Sequence, residues 1–173
     1  MQKSVAILMG SDSDWQLLQK AADLLAEFGV GFDARVMSAH RTPEAVREYV
    51  SVTAEKLGVK VFIGAAGLAA HLPGVIASLT TRPVIGIPVK SGALSGFDAL
   101  LSIAQMPPGV AVASVGIDGA VNAALFAIQI LASSSEELTK KLSEYRKKMV
   151  EGITNKDEAL QLSLAADRGV KVG

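Results

Sequence analysis

Residues Ser4–Gly29 read "SVAILMGSDSDWQLLQKAADLLAEFG". The run Ser4–Met9 is apolar after its first residue and stops at Gly10, the pattern of a buried strand. Beyond the polar "GSDSD", the residues Leu17, Leu18, Ala21, Leu24, Leu25 and Phe28 recur at helical spacing, and Gly29 supplies a stop. A buried strand, a short polar turn and an amphipathic helix follow one another within this single stretch.

The same alternation continues along the chain. "GFDARVM" reads as a second strand. "TPEAVREYVSVTAEKLG" reads as a second helix, with Thr42 as its N-cap, Pro43 at its first position and Gly58 at its end. "VKVFIGAA" and "RPVIGIPV" read as strands, each followed by a helix ("AAHLPGVIASLT", "SGFDALLSIAQM"). "PPGVAVASVGI" holds a fifth strand, followed by the apolar helix "GAVNAALFAIQILASS". A charged helix, "SEELTKKLSEYRKKMVEGI", carries Leu138, Leu142, Tyr145, Met149 and Ile153 along one stripe. The last stretch, "NKDEALQLSLAADRGVKVG", reads as one more helix with a loose end. Nearly all-apolar strands alternating with helices predict an α/β domain. Its parallel, doubly wound sheet is covered by helices on both faces. We expect one domain over 1–173, with an α/β core over 1–132 and a helical extension over 133–173.

Composition narrows the function. The chain has 173 residues, is 50% hydrophobic and holds 16 glycines, enough for a core and many tight turns. Its 17 basic residues balance 17 acidic ones, so the basic face of a nucleic-acid binder is not expected. There is no cysteine, which excludes disulfides, thiolate catalysis and cysteine-ligated metals. Two histidines argue against a histidine-rich zinc site, and no metal is expected. The apolar run near the N-terminus is too short, and too soon followed by aspartates, for a signal peptide. No stretch is long enough to span a membrane. These features predict a soluble, cytoplasmic protein that engages neither nucleic acid nor membrane.

In an open parallel sheet, ligands bind beyond the carboxyl ends of the strands, where strand order reverses. The loops on that edge are "GSDSD", "SAHRTP", "GAAGLAAH", "PVKSGALSGFD" and "GIDGAVN". They hold both histidines, Arg41 and five serines, whereas the opposite loops hold none of these and are plain turns. "GSDSD" lacks the lysine of a Walker A loop and is not G-x-G-x-x-G, so a small phosphate monoester at the helix start fits better than a dinucleotide. The same residues also fit a plain helix cap, by Ser11 or Asp12. "SAHRTP" offers Ser38 as a donor and Arg41 as a planar fork for phosphate. Its other reading is a capped helix with a surface arginine and a structural histidine. In "GAAGLAAHLPG" small residues let the backbone press on a flat ligand. His71 stands at a helix start, where the dipole disfavours imidazolium and a neutral ring suits proton transfer. A histidine hydrogen-bonded to backbone is the alternative there. Lys90, in the fourth loop, reads as a solvated lysine.

Taken in order, "MGSDSDW", "SAHRTP", "AAHLPG", "ALSGFDALLSIAQMPPGV" and "NAALFAIQIL" resemble the PurE family of purine biosynthesis, over about Val5 to Arg146. The "AAHLPG" form is similar to the bacterial and plant branch, which acts on N5-carboxyaminoimidazole ribonucleotide. The resemblance implies a flavodoxin-like three-layer αβα sandwich with a five-stranded sheet. It also implies a homo-octamer whose sites are completed by neighbouring subunits, and no metal or organic cofactor. By motif match, Gly10, Ser11 and Asp14 contact substrate, Asp14 through ribose hydroxyls, and Ser38 and Arg41 hold the phosphate. Ala66, Gly67 and Leu72 line the imidazole, His71 matches the catalytic histidine and His40 a second active-site histidine. Leu68 departs from the pattern, because many relatives have glycine there, and nothing after about Ile153 matches a motif. The implied reaction moves a carboxylate from the exocyclic nitrogen of the substrate to C4 of its ring. Two alternatives stand beside it: a carboxylase that uses free carbon dioxide, and a nucleotide sensor without chemistry. The apolar helix Ala120–Ala132 and the stripe on Glu136–Ile153 exceed what one small sheet needs, and predict subunit contacts.

Overall fold

A computed structural model describes residues 2–167. Its centre is a sheet of five strands, β1 (Val5–Met9), β2 (Phe32–Val36), β3 (Val61–Gly67), β4 (Val84–Val89) and β5 (Ala113–Ser114). They lie in the order β2-β1-β3-β4-β5 and every pair is parallel. This is the doubly wound, flavodoxin-like order, and it reverses between β1 and β3. The helices are α1 (Trp15–Glu27), α2 (Pro43–Glu48), α3 (Ala54–Leu57), α4 (Leu72–Leu79), α5 (Phe97–Ala104), α6 (Ala120–Ala132) and α7 (Glu136–Asp167).

Strand side chains alternate between the two faces, and this builds the three layers. Val5, Ile7 and Met9 of β1 join the core beneath α1 and α6, with Leu18, Leu25, Ala123 and Ile128. Ala6 and Leu8 point the other way, into a core shared with Val46, Tyr49, Ile76 and Ile103. Every buried side chain among the described residues is apolar, so the polar chemistry lies at the loops. β2 is an edge strand and is less apolar than the expected pattern, carrying Asp33 and Arg35.

Four local expectations need correction. The second helix runs unbroken over 43–57 but is not α-helical throughout: a π-helical turn at Tyr49–Thr53 lies between α2 and α3, where Tyr49 swings its hydroxyl onto the edge strand. Thr42 holds the N-cap position without capping. Its hydroxyl accepts from Ser38 N–H (2.9 Å) and donates to Ser38 C=O (3.1 Å), closing the loop instead. The fifth strand is reduced to Ala113–Ser114, which pairs on one side only, with Ile85 and Gly86. The two C-terminal helices are one, α7, with no break through Asp167; the expected loose end from 168 onward lies outside the described residues. The early part of α7 is tied down. Leu138, Leu142 and Tyr145 pack on the core, Lys141 Nζ donates to Phe28 C=O (3.0 Å), and the Phe28 and Tyr145 rings lie 5.6 Å apart. Farther along the same stripe, Met149 and Ile153 are exposed.

The loop after β2 is braced from below. Asp33 Oδ2 accepts from Tyr49 Oη and from Arg35 Nε, both at 2.8 Å, and the Arg35 guanidinium lies 6.0 Å from the Tyr49 ring centre. Partial burial pushes the Asp33 carboxyl up, but the hydrogen bonds from Arg35 and Tyr49 outweigh it and hold it below the usual carboxylate range. Burial and the Asp33 charge both raise the Tyr49 hydroxyl, which stays a donor. A carboxyl lowered in the folded state stabilises the fold above its unfolded value of 3.8, and that stability is lost as pH falls through the lower folded value. Tyr49→Phe is therefore expected to cost about 1 kcal/mol at neutral pH. The gap to wild type should narrow once the pH drops below about 4. Denaturant melts at the two pH values measure both effects.

Candidate active site

A cavity of about 470 Å³ opens at the carboxyl ends of β1, β2 and β3, at the point where strand order reverses. It gathers every expected site residue: Gly10, Ser11 and Asp14; Ser38, His40 and Arg41; and Ala66, Gly67, His71 and Leu72. Ser13, Ala39, Leu68, Ala69 and Ser91 also line it. All five lie in loops already assigned to this edge: Ser13 in "GSDSD", Ala39 in "SAHRTP", Leu68 and Ala69 in "GAAGLAAH", and Ser91 in "PVKSGALSGFD". The fifth loop, "GIDGAVN", contributes nothing, and neither does Lys90. A cleft of about 510 Å³ on the opposite edge, with Glu55 and Arg82 as its ionisable residues, holds none of these groups.

The two histidines meet. His40 Nε2 and His71 Nδ1 are 2.7 Å apart, with ring centres 4.9 Å apart and the planes at 81°. At this separation one ring donates and the other accepts, so a single proton lies between the facing nitrogens. His40 Nδ1 and His71 Nε2 are left outside the pair. A proton taken up at one outer nitrogen can be balanced by loss of one at the other, so the rings can act as a unit. His71 stands at the N-cap position of α4, as expected, without capping it.

Beside the pair lies a group of donors. Arg41 Nη2 donates to Gly10 C=O (2.9 Å), which folds the guanidinium across from the β2 loop to the end of β1. Ser38 Oγ accepts from Arg41 N–H (3.2 Å). The "GSDSD" turn departs from expectation. Ser11 caps a 3₁₀ turn (Asp12–Asp14) in a capping box: its Oγ accepts from Ser13 N–H, and Asp14 Oδ2 accepts from Ser11 N–H, each at 3.3 Å. The cap reading is thus realised, and those N–H groups are not free for an anion. What remains for one is hydroxyl and guanidinium chemistry from Ser11, Ser13, Ser38 and Arg41. Asp14 is partly buried, which raises its carboxyl against the lowering effect of the Ser11 N–H; its Oδ1 is not used by the capping box.

The remaining wall is apolar and close. A Cβ at Gly67 would overlap the Ser91 hydroxyl and press on Val89 C=O, so glycine lets β3 and the β4–α5 loop meet closely there. Among the described residues, no group of three or more His, Cys, Asp or Glu is placed to hold a metal ion. Nor is any helix among them long and apolar enough to cross a membrane.

The sequence profile of the AIR carboxylase family matches residues 4–152. The chain belongs to this family. Among its relatives is a protein of Pyrococcus abyssi named N5-carboxyaminoimidazole ribonucleotide mutase. It is 57% identical over 145 residues, which cover 84% of this chain and 83% of that protein. A protein of the same name from Methanocaldococcus jannaschii is 54% identical over 157 residues, 91% of this chain and 97% of that one. A solved family structure, PurE of Treponema denticola, superposes with a TM-score of 0.82 at 31% identity. That match covers 90% of this chain and 97% of the other. The motifs that resembled PurE are thus carried by a chain with the PurE fold.

Proposed function

We propose that the protein is a mutase that converts N5-carboxyaminoimidazole ribonucleotide into 4-carboxy-5-aminoimidazole ribonucleotide. The observation that carries this reading is the His40–His71 pair beside the Arg41 and Ser38 donors, in a cavity walled by Ala66 and Gly67. The names of the relatives, at more than half identity over most of the chain, support it.

The chemistry follows from that geometry. Arg41 and Ser38, with Ser11 and Ser13, grip the phosphate, and Asp14 accepts from ribose hydroxyls. The ring is then held against Gly67, Ala66 and Leu72, which is catalysis by orientation. His71 gives a proton to the carbamate nitrogen; the N–C bond breaks and carbon dioxide is released. C4 of the electron-rich ring attacks that carbon dioxide, and the new C–C bond forms. C4 then gives its proton back to His71, which restores the aromatic ring and the starting protonation. No redox step is involved. His40 shares the proton through its hydrogen bond to His71. The dry, small-residue wall confines the carbon dioxide until it is recaptured.

The test supplies the wild type with N5-carboxyaminoimidazole ribonucleotide and follows formation of the C4-carboxylated product. The expected outcome is rapid conversion without added bicarbonate. The family's own description, AIR carboxylase, favours a second reading in which aminoimidazole ribonucleotide and free carbon dioxide are the substrates. Turnover of that pair alone would replace the mutase assignment. Tight ribonucleotide binding with no turnover of either substrate would reduce the protein to a sensor.

We also propose a homo-oligomer, an octamer by resemblance, built on the faces that one subunit leaves bare. Val121 and Phe126 on α6, and Met149, Val150 and Ile153 on α7, are exposed. Sedimentation at micromolar concentration is expected to show the assembly, and a stable monomer would defeat it.

A further inference from the structure

Among the described residues that line the cavity, Ser91 is the one polar side chain without a part in the chemistry above. It stands two residues beyond Val89, the end of β4, and its hydroxyl lies against the bare backbone of Gly67, overlapping the place a Cβ there would take. Gly67 is one of the residues against which the ring is held, so this hydroxyl lies at the ring end of the cavity. Its hydrogen bond to Val89 C=O is long, at 3.4 Å against the usual range of about 2.5–3.0 Å, and is readily exchanged for a better acceptor.

The loop that carries Ser91 is tied on both sides. Lys90 N–H donates to Asp118 Oδ1 at 2.8 Å, and Asp118 N–H donates to Pro88 C=O at 2.9 Å. Asp118 has φ 56°, a region that aspartate enters more readily than most residues. On the next residue, Gly92, the Leu68 Cδ2 methyl covers the backbone closely. The hydroxyl is thus presented by a backbone whose neighbours are held in place.

In the mutase reading the phosphate, the ribose and the moving proton all have partners, whereas the moving carboxylate has none. A carboxylate set against the wall of Ala66 and Leu72 without a donor is unfavourable. We propose that Ser91 is a further catalytic residue, whose hydroxyl donates a hydrogen bond to the migrating carboxylate. This rests on the mutase reading and adds to it. The hydroxyl keeps its proton throughout and only turns from Val89 C=O to a carboxylate oxygen. It binds a charged carboxylate more strongly than neutral carbon dioxide. As C4 attacks, negative charge returns to the oxygens of the carbon dioxide and the hydrogen bond strengthens, so the donor favours recapture.

Ser91→Ala is expected to lower kcat/KM for N5-carboxyaminoimidazole ribonucleotide by about 10–100-fold, the loss of a hydrogen bond to a charged group. Calorimetry in the slow His71→Asn background separates this role from support of the pocket. There, adding Ser91→Ala is expected to weaken binding of the 4-carboxylated product by about tenfold. Aminoimidazole ribonucleotide, which carries no carboxylate, is expected to bind as before. Equal losses for the two ligands would make Ser91 a structural support only and overturn the proposal, as would a Ser91→Ala enzyme that works at the wild-type rate. Either result leaves the mutase reading standing. A wild type that does not convert N5-carboxyaminoimidazole ribonucleotide overturns that reading, and this inference falls with it.

Discussion

His71→Asn is expected to lower kcat by about 10²–10⁴-fold, the usual contribution of a positioned acid or base. Substrate affinity is expected to stay near that of the wild type. Asparagine is smaller than histidine and can still hydrogen-bond to His40, so the pocket keeps its polar contact and loses only the proton carrier. Product formation followed by absorbance, with binding measured by calorimetry, separates the two quantities. The 2.7 Å contact adds a sharper expectation. If the rings act as one unit, His40→Asn also lowers kcat, and the double variant is hardly worse than the poorer single one. Losses that multiply would mean that the histidines work independently. A His71→Asn enzyme within a few-fold of wild type would remove this histidine from the chemistry.

Arg41→Ala is expected to reduce kcat/KM by about 10–100-fold, from the loss of charge-assisted hydrogen bonds worth roughly 1.5–3 kcal/mol. Most of the loss should appear in KM, because phosphate binding is shared by the ground and transition states. Some should appear in kcat, since the guanidinium also locks the β2 loop, and with it His40, onto Gly10 C=O at 2.9 Å. Arg41→Lys keeps the charge but not the planar fork, and is expected to recover only part of the loss. Steady-state kinetics of the three enzymes test this, with ribose 5-phosphate as a competing ligand. Ribose 5-phosphate that inhibits wild type and Arg41→Ala equally would place the phosphate elsewhere.

Much of this architecture is legible along the chain because its causes are local. An apolar run such as Val5–Met9 must be buried on both sides. The spacing of Leu18, Ala21 and Leu25 makes one helix face, and Pro43 and Gly58 mark where the second helical segment begins and ends. Where the causes are not local, the reading failed. The Tyr49 π turn forms at a side chain bonded to a different strand, whereas the Thr42 hydroxyl departs from expectation for a local reason, being taken by the backbone of Ser38 four residues earlier. The continuity of α7 is a related case, since nothing between Ile153 and Asn155 forces a stop.

For the site, the sequence by itself determined which edge carries it and which residue types stand there, because strand direction puts every βα loop on one side. It also singled out Leu68, but only as an odd residue in a glycine-rich loop. Tertiary structure alone decided that His40 and His71, 31 residues apart, share a hydrogen bond, and that Arg41 turns back to Gly10. It also decided that Leu68 lies over Gly92. Each of these depends on the register between strands and on side-chain direction across a loop. Both are set by how β1, β3 and β4 pack, not by any stretch of residues read alone.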